Sequence, residues 1–316
     1  MESNTHRLRR SELSTPAASA KMIEKAATAS GADLVFLDLE DAVAPAFKER
    51  ARRNVIDAFN QLDWAGRTRA YRINDVQTPW CHDDIIEVMT EAGRNVDVII
   101  VPKVRAPRDI WFVDDLLTQI ELKTGQEIGS TGLEVLIEET AALACVEEIA
   151  ASSPRLEALI LGLGDLAASQ GIRTGKIDTT DEDSYPGDLW HYARNRMIVA
   201  ARANGLDAID GPFAEFTNPT AYRRAASQAS QLGAVGKWCI HPSQVPIANE
   251  VFSPTAAEVQ EAQEAMTALQ AAEAEGLGAA NHNGALIDAA SARIYESLLS
   301  RAAQCGIDIS IEGIVA

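Results

Sequence analysis

The chain lacks the sequence features of secreted, membrane-spanning and nucleic-acid-binding proteins. No apolar run is long enough to cross a bilayer, and the N-terminal segment MESNTHRLRR lacks the apolar core of a signal peptide. Lys and Arg number 28 against 46 Asp and Glu, and this net charge of −18 argues against a nucleic-acid partner. A small polyanion needs only a local basic patch and is not excluded. The four cysteines form no CxxC pair, which argues against a zinc site and predicts free thiols: Cys81, Cys145, Cys239 and Cys305. We therefore expect a cytoplasmic protein with small-molecule ligands.

Eight apolar runs alternate with helical segments along the 316 residues, of which 47% are hydrophobic. Runs rich in Val, Ile and Leu are typical of strands buried on both faces of a parallel sheet. Eight strand–helix units suit a closed barrel, and a doubly wound open sheet is less favoured because no GxGxxG motif opens the first strand–helix turn. We predict an α/β fold, a (β/α)₈ TIM barrel, with strands within residues 10–14, 33–45, 67–75, 96–104, 133–138, 158–164, 206–213 and 234–244.

Two regions fall outside this repeat. Residues 171–188 are polar, contain Gly and Pro, and are predicted to form a long loop at the active edge of the barrel. Beyond Pro254 the pattern predicts a helix of about 20 residues, a hinge containing Gly276, Gly278 and Gly284, and a second helix over residues 285–304. We predict a catalytic barrel over residues 1–254 and a helical extension over 255–316 that acts as a lid or an oligomerisation arm.

Two carboxylates end neighbouring apolar runs in the middle of the chain. Glu138 ends the fifth run and Asp165 follows the sixth, with a helix between them. Such a βαβ unit makes the two strands parallel and adjacent, so both acids lie at the carboxyl edge where barrel enzymes keep their chemistry. Hard oxygen ligands in a half-open cleft suit Mg²⁺, although two solvated loop acids are the alternative. We expect removal of either carboxylate to spare the fold, on the view that neither lies in the packed core.

Polar and charged residues also end the other predicted strands: Asp38, Glu40, Asp41, Arg72, Asn74, Lys103, Asp210 and His241. Such clustering is costly unless the residues bind something, and a structural ion-pair network is the alternative. Arg72 suits two-point binding of a carboxylate or stabilisation of an enolate, and equally a salt bridge to Asp38 or Glu40. Lys103 suits charge balance, since a Schiff base would make a metal redundant. His241 fits a structural histidine better than a catalytic base.

A series of short motifs runs along roughly residues 9–300, in the order RSELSTP, EKAA, FLDLEDAVAP, RIN, PKV, LIEE, VEEIAASSPRL, GDLAAS, DGPF, GKWCIHPSQ and ANEVFSP. This series resembles the CitE-like (HpcH/HpaI) aldolase superfamily, and within it malyl-CoA/β-methylmalyl-CoA lyases. It implies a TIM barrel, assembled into trimers or hexamers, that cleaves a 3-hydroxyacyl-CoA reversibly.

The resemblance also implies roles for individual residues. The family's Mg²⁺ (or Mn²⁺) ligands match Glu138 and Asp165, its arginine matches Arg72, and its catalytic acid, which reaches a neighbouring subunit from the lid, matches Asp288. Substrate-lining positions match Gly164, Ile240 and His241 as well as Arg72 and Asp165, and coenzyme A contacts match Ser14, Ser19 and Lys25. Relatives often have PGS followed by arginine where this chain has Pro16-Ala17-Ala18-Ser19, so the phosphate contact is missing or supplied by Lys21.

The mechanism implied by the resemblance is a Claisen-type reaction. Mg²⁺ would chelate glyoxylate and polarise its aldehyde, Asp288 would take a proton from acetyl-CoA, and Arg72 would neutralise the enolate. Three alternatives stay open: citramalyl-CoA as the substrate, hydrolysis of the malyl-CoA thioester as in malate-synthase-like activity, and a non-catalytic CoA-binding subunit of a lyase complex. The sequence does not choose between acyl groups or between trimer and hexamer.

Overall fold

The protein is described here from a computed structural model that covers residues 7–172 and 188–309. Residues 173–187, which make up most of the predicted active-edge loop, lie outside the described residues. The described residues form two compact units, divided between Phe252 and Ser253.

Within the described residues, the first unit is a closed barrel of eight parallel strands in sequential order. The predicted barrel is therefore confirmed. Each strand overlaps one of the predicted runs, although β1, β5 and β6 extend one or two residues beyond them. The strands are β1 Ser11–Pro16, β2 Leu34–Asp38, β3 Thr68–Arg72, β4 Val98–Val101, β5 Gly132–Ile137, β6 Leu156–Leu161, β7 Asp207–Asp210 and β8 Gly236–Cys239.

Helices follow the strands, as the alternating pattern predicts. Ser19 and Asn218 cap their helices with side-chain oxygens, and a left-handed Gly125 ends another. The helices are α1 Ala20–Ala29, α2 Lys48–Gln61, α3 Cys81–Ala92, α4 Pro107–Thr124, α5 Thr140–Ala144, α6 Val146–Ala150, α7 Leu163–Gln170, α8 His191–Ala203, α9 Pro219–Gln231 and α10 Val245–Val251, with short 3₁₀ turns at Pro45–Phe47, Gly93–Asn95 and Pro242–Gln244. No helix in the described part of the chain combines the length and hydropathy of a membrane span.

Two apolar clusters form the core of this unit. The inner cluster lies inside the barrel and includes Leu34, Phe36, Ile100 and Trp238. The larger outer cluster uses the alternate strand positions, such as Val35, to pack against the helices. Because both strand faces are buried, the side chains available for chemistry lie at or beyond the carboxyl ends of the strands.

Buried charges occupy the amino-terminal half of the barrel interior, a feature that the sequence analysis missed. Arg9 is 1% exposed and pairs with Glu134 at 2.7 Å, with Asp207 at 3.3 Å and with Glu157. Glu12 is fully buried and accepts a hydrogen bond of 2.7 Å from Nε1 of Trp238. Among the described residues, no hydrogen-bond donor reaches Oε1 of Glu12.

We expect Glu12→Gln to stabilise the protein at alkaline pH. Burial, reinforced by the charge of Glu134 and opposed by Arg9, raises the pKa of Glu12 well above its usual range. The folded state then holds a proton that the unfolded state has lost, so stability is present at low pH and falls as pH rises, by about 1.4 kcal/mol per unit. Glutamine removes this slope. In urea unfolding at about pH 5 and about pH 8, the free energy of unfolding of the variant relative to wild type should be clearly larger at the higher pH, and an equal difference at the two pH values would contradict the prediction.

The second unit is α11 Ala256–Ala274, a β-hairpin of β9 Ala279–His282 and β10 Ala285–Asp288, and α12 Ala289–Gln304. The predicted second helix is therefore confirmed over Ala289–Gln304, but residues 285–288 form a strand instead of its first turn, and much of the predicted hinge belongs to the hairpin. Asn283 and Gly284 both have positive φ, which is the two-residue type I′ turn that joins antiparallel strands. Helices and hairpin share their own apolar core, which includes Val259, Met266 and Ile287.

Candidate active site

Glu138 and Asp165 are placed by adjacent parallel strands. Glu138 directly follows β5, and Asp165 lies in the first turn of α7, just after β6. Ile137 and Leu161 are register partners, and the N–H of Gly162 donates to the carbonyl of Ile137 at 3.1 Å. A Cβ atom at Gly162 would collide with the Glu138 side chain, so only glycine fits here.

Glu138 is a buried carboxylate without an ion-pair partner among the described residues. It is 2% exposed, so the expectation that it lies outside the packed core is wrong. Its Oε1 accepts a hydrogen bond of 2.7 Å from the backbone N–H of Lys103. Burial raises the pKa of Glu138 to about 8, Arg72 opposes this rise, and Asp165 adds to it. A bound cation would offset this desolvation.

Lys103 neutralises the acids around the mouth. Its left-handed backbone, with φ of 50°, follows β4. Its Nζ contacts Glu40, lies 3.1 Å from both carboxylate oxygens of Asp41, and is 3.9 Å from Asp165. Burial works to lower the pKa of Lys103, but the hydrogen bond and charge of Glu40 outweigh it and raise that pKa. A protonated amine of this kind balances charge and is a poor Schiff-base nucleophile.

Arg72 is the last residue of β3 and is held by two acids. Nε and Nη2 form a two-point contact with Asp38 at 2.8 and 2.6 Å, and Nη1 lies 3.0 Å from Glu40. Its guanidinium carbon is 5.4 Å from the centre of the Trp238 ring, a cation–π contact. The predicted salt bridges to Asp38 and Glu40 are therefore both present.

Asn74 and Asp210 have structural partners instead. Asn74 donates to Asp84 at 2.6 Å and accepts from Lys48 at 2.5 Å. Asp210 pairs with Lys237 and, at 2.9 Å, with Arg194, and these cations outweigh burial and lower its pKa. The alternative of an ion-pair network thus applies to part of the strand-end cluster.

The donor set suits Mg²⁺ but does not enclose it. In the described residues, no group of three or more His, Cys, Asp or Glu side chains is arranged to hold a metal ion. Glu138 and Asp165 offer two hard oxygen donors, one buried and one with a side chain 40% exposed. Mg²⁺ keeps several positions for water and substrate and is commonly held by one or two carboxylates. These two residues therefore fit a Mg²⁺ or Mn²⁺ ion that also binds substrate.

The sequence profile of one family, described as HpcH/HpaI aldolase/citrate lyase, matches residues 10–242, which span the whole barrel. The chain belongs to this family.

Two relatives of this HpcH/HpaI family member are named as lyases of acyl-CoA thioesters. The L-malyl-CoA/β-methylmalyl-CoA lyase of Rhodobacter capsulatus is 42% identical over 94% of this chain and 95% of its own length. The malyl-CoA/β-methylmalyl-CoA/citramalyl-CoA lyase of Chloroflexus aurantiacus is 34% identical over 82% of this chain and 77% of its own length.

A solved structure is similar in fold and sequence. CitE from Mycobacterium tuberculosis, determined with magnesium, acetoacetate and coenzyme A, superposes with a TM-score of 0.74 at 26% identity and covers 94% of this chain and 98% of its own.

In this HpcH/HpaI member, the residues matched to coenzyme A contacts lie around the first strand–helix turn. Ser14 is a half-buried residue of β1, and Ser19 caps α1 by accepting a hydrogen bond of 3.4 Å from Met22 N–H. Lys21 and Lys25 are exposed and four residues apart, which places them on the same face of α1.

The residues matched to substrate lining follow two other strands. Gly164 is exposed in the first turn of α7. Beyond β8, the N–H of Ile240 donates to Gln244 at 2.8 Å, and His241 Nδ1 lies 2.8 Å from the Ser243 hydroxyl. The His241 ring stacks on the ring of Phe216, with 4.9 Å between the ring centres. Phe216 was not among the residues singled out from the sequence.

Asp288 belongs to the second unit and ends β10. Its Oδ1 accepts hydrogen bonds of 3.0 Å from the N–H groups of Ala290 and Ser291, so it is the N-cap of α12. These hydrogen bonds lower the pKa of Asp288, the Ser291 bond being the stronger influence. The carboxylate is therefore ionised and ordered, and its part in the barrel site remains a prediction.

Proposed function

We propose that this chain is a Mg²⁺-dependent carbon–carbon lyase that reversibly cleaves malyl-CoA or β-methylmalyl-CoA. The products are glyoxylate and acetyl-CoA or propionyl-CoA. The observation that carries the proposal is the placement of Glu138, Asp165 and Arg72 at the strand ends of one barrel, in a chain 42% identical to an L-malyl-CoA/β-methylmalyl-CoA lyase.

Glu138 and Asp165 would hold the metal, and each chain residue then has a separate task. When bound, Mg²⁺ supplies a Lewis acid for the carbonyl oxygen of the oxo acid. Arg72 uses two of its five N–H groups on Asp38, so others can donate to the oxygen of the thioester enolate. Lys103 keeps the surrounding acids neutralised and holds Glu138 through its backbone N–H.

Asp288 would be the proton-transfer group. Its lowered pKa makes it a weak base in the described structure, and desolvation against a closed barrel mouth would raise that pKa. The proton moves from the methyl of acetyl-CoA to a carboxylate oxygen of Asp288 in the condensation direction and returns in the cleavage direction. Exclusion of water at that moment protects the enolate.

The coenzyme A portion would bind at the turn between β1 and α1. Ser14, Ser19, Lys21 and Lys25 supply hydroxyl groups and two exposed ammonium groups, and the lysines form the local basic patch that a strongly acidic protein needs to attract phosphates. A cytoplasmic location is also part of the proposal and is supported by the four free cysteines.

A product assay tests the function. The protein is incubated with glyoxylate, Mg²⁺ and either acetyl-CoA or propionyl-CoA, and the products are identified by mass spectrometry. Formation of malyl-CoA or β-methylmalyl-CoA supports the proposal. Free malate with free coenzyme A would instead indicate thioester hydrolysis, and no turnover would favour a CoA-binding subunit.

Citramalyl-CoA is the second candidate substrate, because the Chloroflexus aurantiacus relative is named for it as well. Replacing glyoxylate by pyruvate in the same assay tests it. Turnover with pyruvate that equals or exceeds turnover with glyoxylate would move the assignment to citramalyl-CoA.

We further propose a trimer or hexamer in which Asp288 completes the site of a neighbouring subunit. Asp288→Asn and Glu138→Gln homo-oligomers should each be inactive, and Asn keeps the helix cap because it is as good an N-cap as Asp. Co-refolding the two variants in equal amounts should restore activity in about a quarter of the sites, where a barrel from the Asp288 variant meets an extension from the Glu138 variant.

The mixing experiment has clear contrary outcomes. Variants mixed without unfolding serve as the control and should stay inactive while the subunits do not exchange. No recovery in mixed oligomers, isolated through an affinity tag carried by only one of the two variants, would count against the crossing. An active Asp288→Asn homo-oligomer would remove Asp288 from the mechanism.

A further inference from the structure

Ser169 ties together the two segments that carry Glu138 and Asp165. It lies on α7 four residues after Asp165, so both side chains are on one face of that helix. Its hydroxyl donates to Oε2 of Glu139 at 2.9 Å and accepts from the backbone N–H of Thr140 at 2.9 Å. The Thr140 hydroxyl is 3.1 Å away. Because Glu139 and Thr140 directly follow Glu138, this one hydroxyl joins α7 to the end of β5.

Glu139, which accepts the hydrogen bond from Ser169, is itself held by Arg105. Arg105 lies 3.5 Å from Glu139, contacts both carboxylate oxygens of Asp75 at 3.3 and 3.1 Å, and donates to the carbonyl of Lys103 at 2.9 Å. The loops that follow β3, β4 and β5 are thereby joined to α7. Ser169 therefore bonds to an anchored group rather than to a free surface side chain.

The barrel itself leaves the position of Asp165 less constrained than that of Glu138. Glu138 is buried, and its Oε1 accepts from a backbone N–H. The side chain of Asp165 is 40% exposed, and its nearest cation among the described residues, Lys103, is 3.9 Å away. The orientation of α7 must then set the distance between the two carboxylates, and metal sites lose affinity when supporting residues outside the ligand set are removed.

We propose that Ser169 is a positioning residue that holds Asp165 at the distance from Glu138 required to bind one divalent cation. The inference rests on the proposed metal site and adds a residue that touches neither the ion nor the substrate. The Ser169 hydroxyl has its full set of hydrogen bonds: it donates one to Glu139 and accepts two, from the backbone N–H and the hydroxyl of Thr140. Alanine cannot make any of these bonds, and threonine can.

Binding of Mn²⁺ to substrate-free protein, measured by electron paramagnetic resonance of the free ion, tests the proposal without using activity. Ser169→Ala should raise the Kd by about tenfold or more, which is the usual effect of losing a supporting residue of a metal site. Ser169→Thr should restore binding to within about threefold of wild type, because it keeps the hydroxyl. Thermal unfolding of the metal-free proteins should be nearly unchanged, since the bonds are exposed.

Ser153→Ala is the matched control. Ser153 also donates to a carboxylate, Asp114 at 2.6 Å, and accepts from a backbone N–H, that of Arg155 at 3.0 Å, but it precedes β6 at the other end of the strand. It should bind Mn²⁺ like wild type.

The outcomes separate this proposal from the proposed function. Normal Mn²⁺ binding by Ser169→Ala, or an equal loss in Ser153→Ala, would overturn the role of Ser169 and leave the metal site standing. Failure of the wild-type protein to bind Mn²⁺ would overturn the metal site and this inference with it. Binding of Mn²⁺ by Glu138→Gln with the same Kd as wild type would do the same.

Discussion

Glu138→Gln will abolish turnover and will not lower the stability of the metal-free protein. Loss of a ligand that places a Lewis acid should reduce kcat/KM by a factor on the order of 10³ or more. The carboxylate is buried without an ion-pair partner in the described structure, so its removal costs no salt bridge. The amide oxygen of glutamine can still accept the hydrogen bond from Lys103 N–H. Stability is therefore expected to stay the same or to rise.

Thermal unfolding with and without Mg²⁺ tests this expectation more directly. In EDTA the Tm of Glu138→Gln should equal or exceed that of wild type, and added Mg²⁺ should raise the Tm of wild type only, because a ligand stabilises the state that binds it. Asp165→Asn should lose the Mg²⁺ response in the same way. Full activity of wild type in excess EDTA, or an equal Mg²⁺ response in all three proteins, would contradict the metal assignment.

Arg72→Lys should behave as a severe substitution although it keeps the charge. A lysine cannot reproduce the two-point contact with Asp38 together with the approach to Glu40. If Arg72 also donates to the enolate oxygen, about 2–4 kcal/mol of transition-state stabilisation is lost, which is roughly a 30- to 900-fold fall in kcat/KM. Initial rates with saturating and limiting acyl-CoA give kcat and KM separately.

A second buried arginine, Arg52, provides a control that distinguishes an effect on catalysis from an effect on folding. Arg52 is 4% exposed and also contacts two acids, Asp84 at 3.0 Å and Glu87 at 2.8 Å, but it joins α2 to α3 outside the barrel. Arg52→Lys should lower the free energy of unfolding and spare kcat/KM. Activity of Arg72→Lys within threefold of wild type would show that Arg72 is only a structural partner of the strand-two acids.

The barrel could be predicted because short segments of the sequence are enough to identify its strands. Strands such as Val98–Val101 are continuous apolar runs, and the acids at the carboxyl ends mark the mouth without any knowledge of distant contacts. The pairing of Arg72 with Asp38 could be proposed for the same reason, since both residues end neighbouring strands. Prediction succeeded where position along one strand determines position in the fold.

The features that were missed depend on partners far away in the chain or on competing local patterns. Arg9 is 148 residues from Glu157 and 125 from Glu134, so no local pattern reveals that their charges meet inside the barrel. The run from Ala285 to Asp288 looked helical because Ala and Leu favour helices and α12 follows at once. The Asn283–Gly284 pair was the available signal for a hairpin, and it outweighed that preference.

The hairpin restricts how Asp288 could reach a reaction site. Asp288 is the register partner of Ala279 across the hairpin and caps α12, so folded backbone lies on both sides of it. A carboxylate mounted in this way has little conformational entropy left to lose, unlike one on a flexible segment. Under the proposed in-trans arrangement, catalysis would then require the movement of one folded body. A variant that loosened the turn would act on the activation entropy while the chemistry of the carboxylate stayed the same.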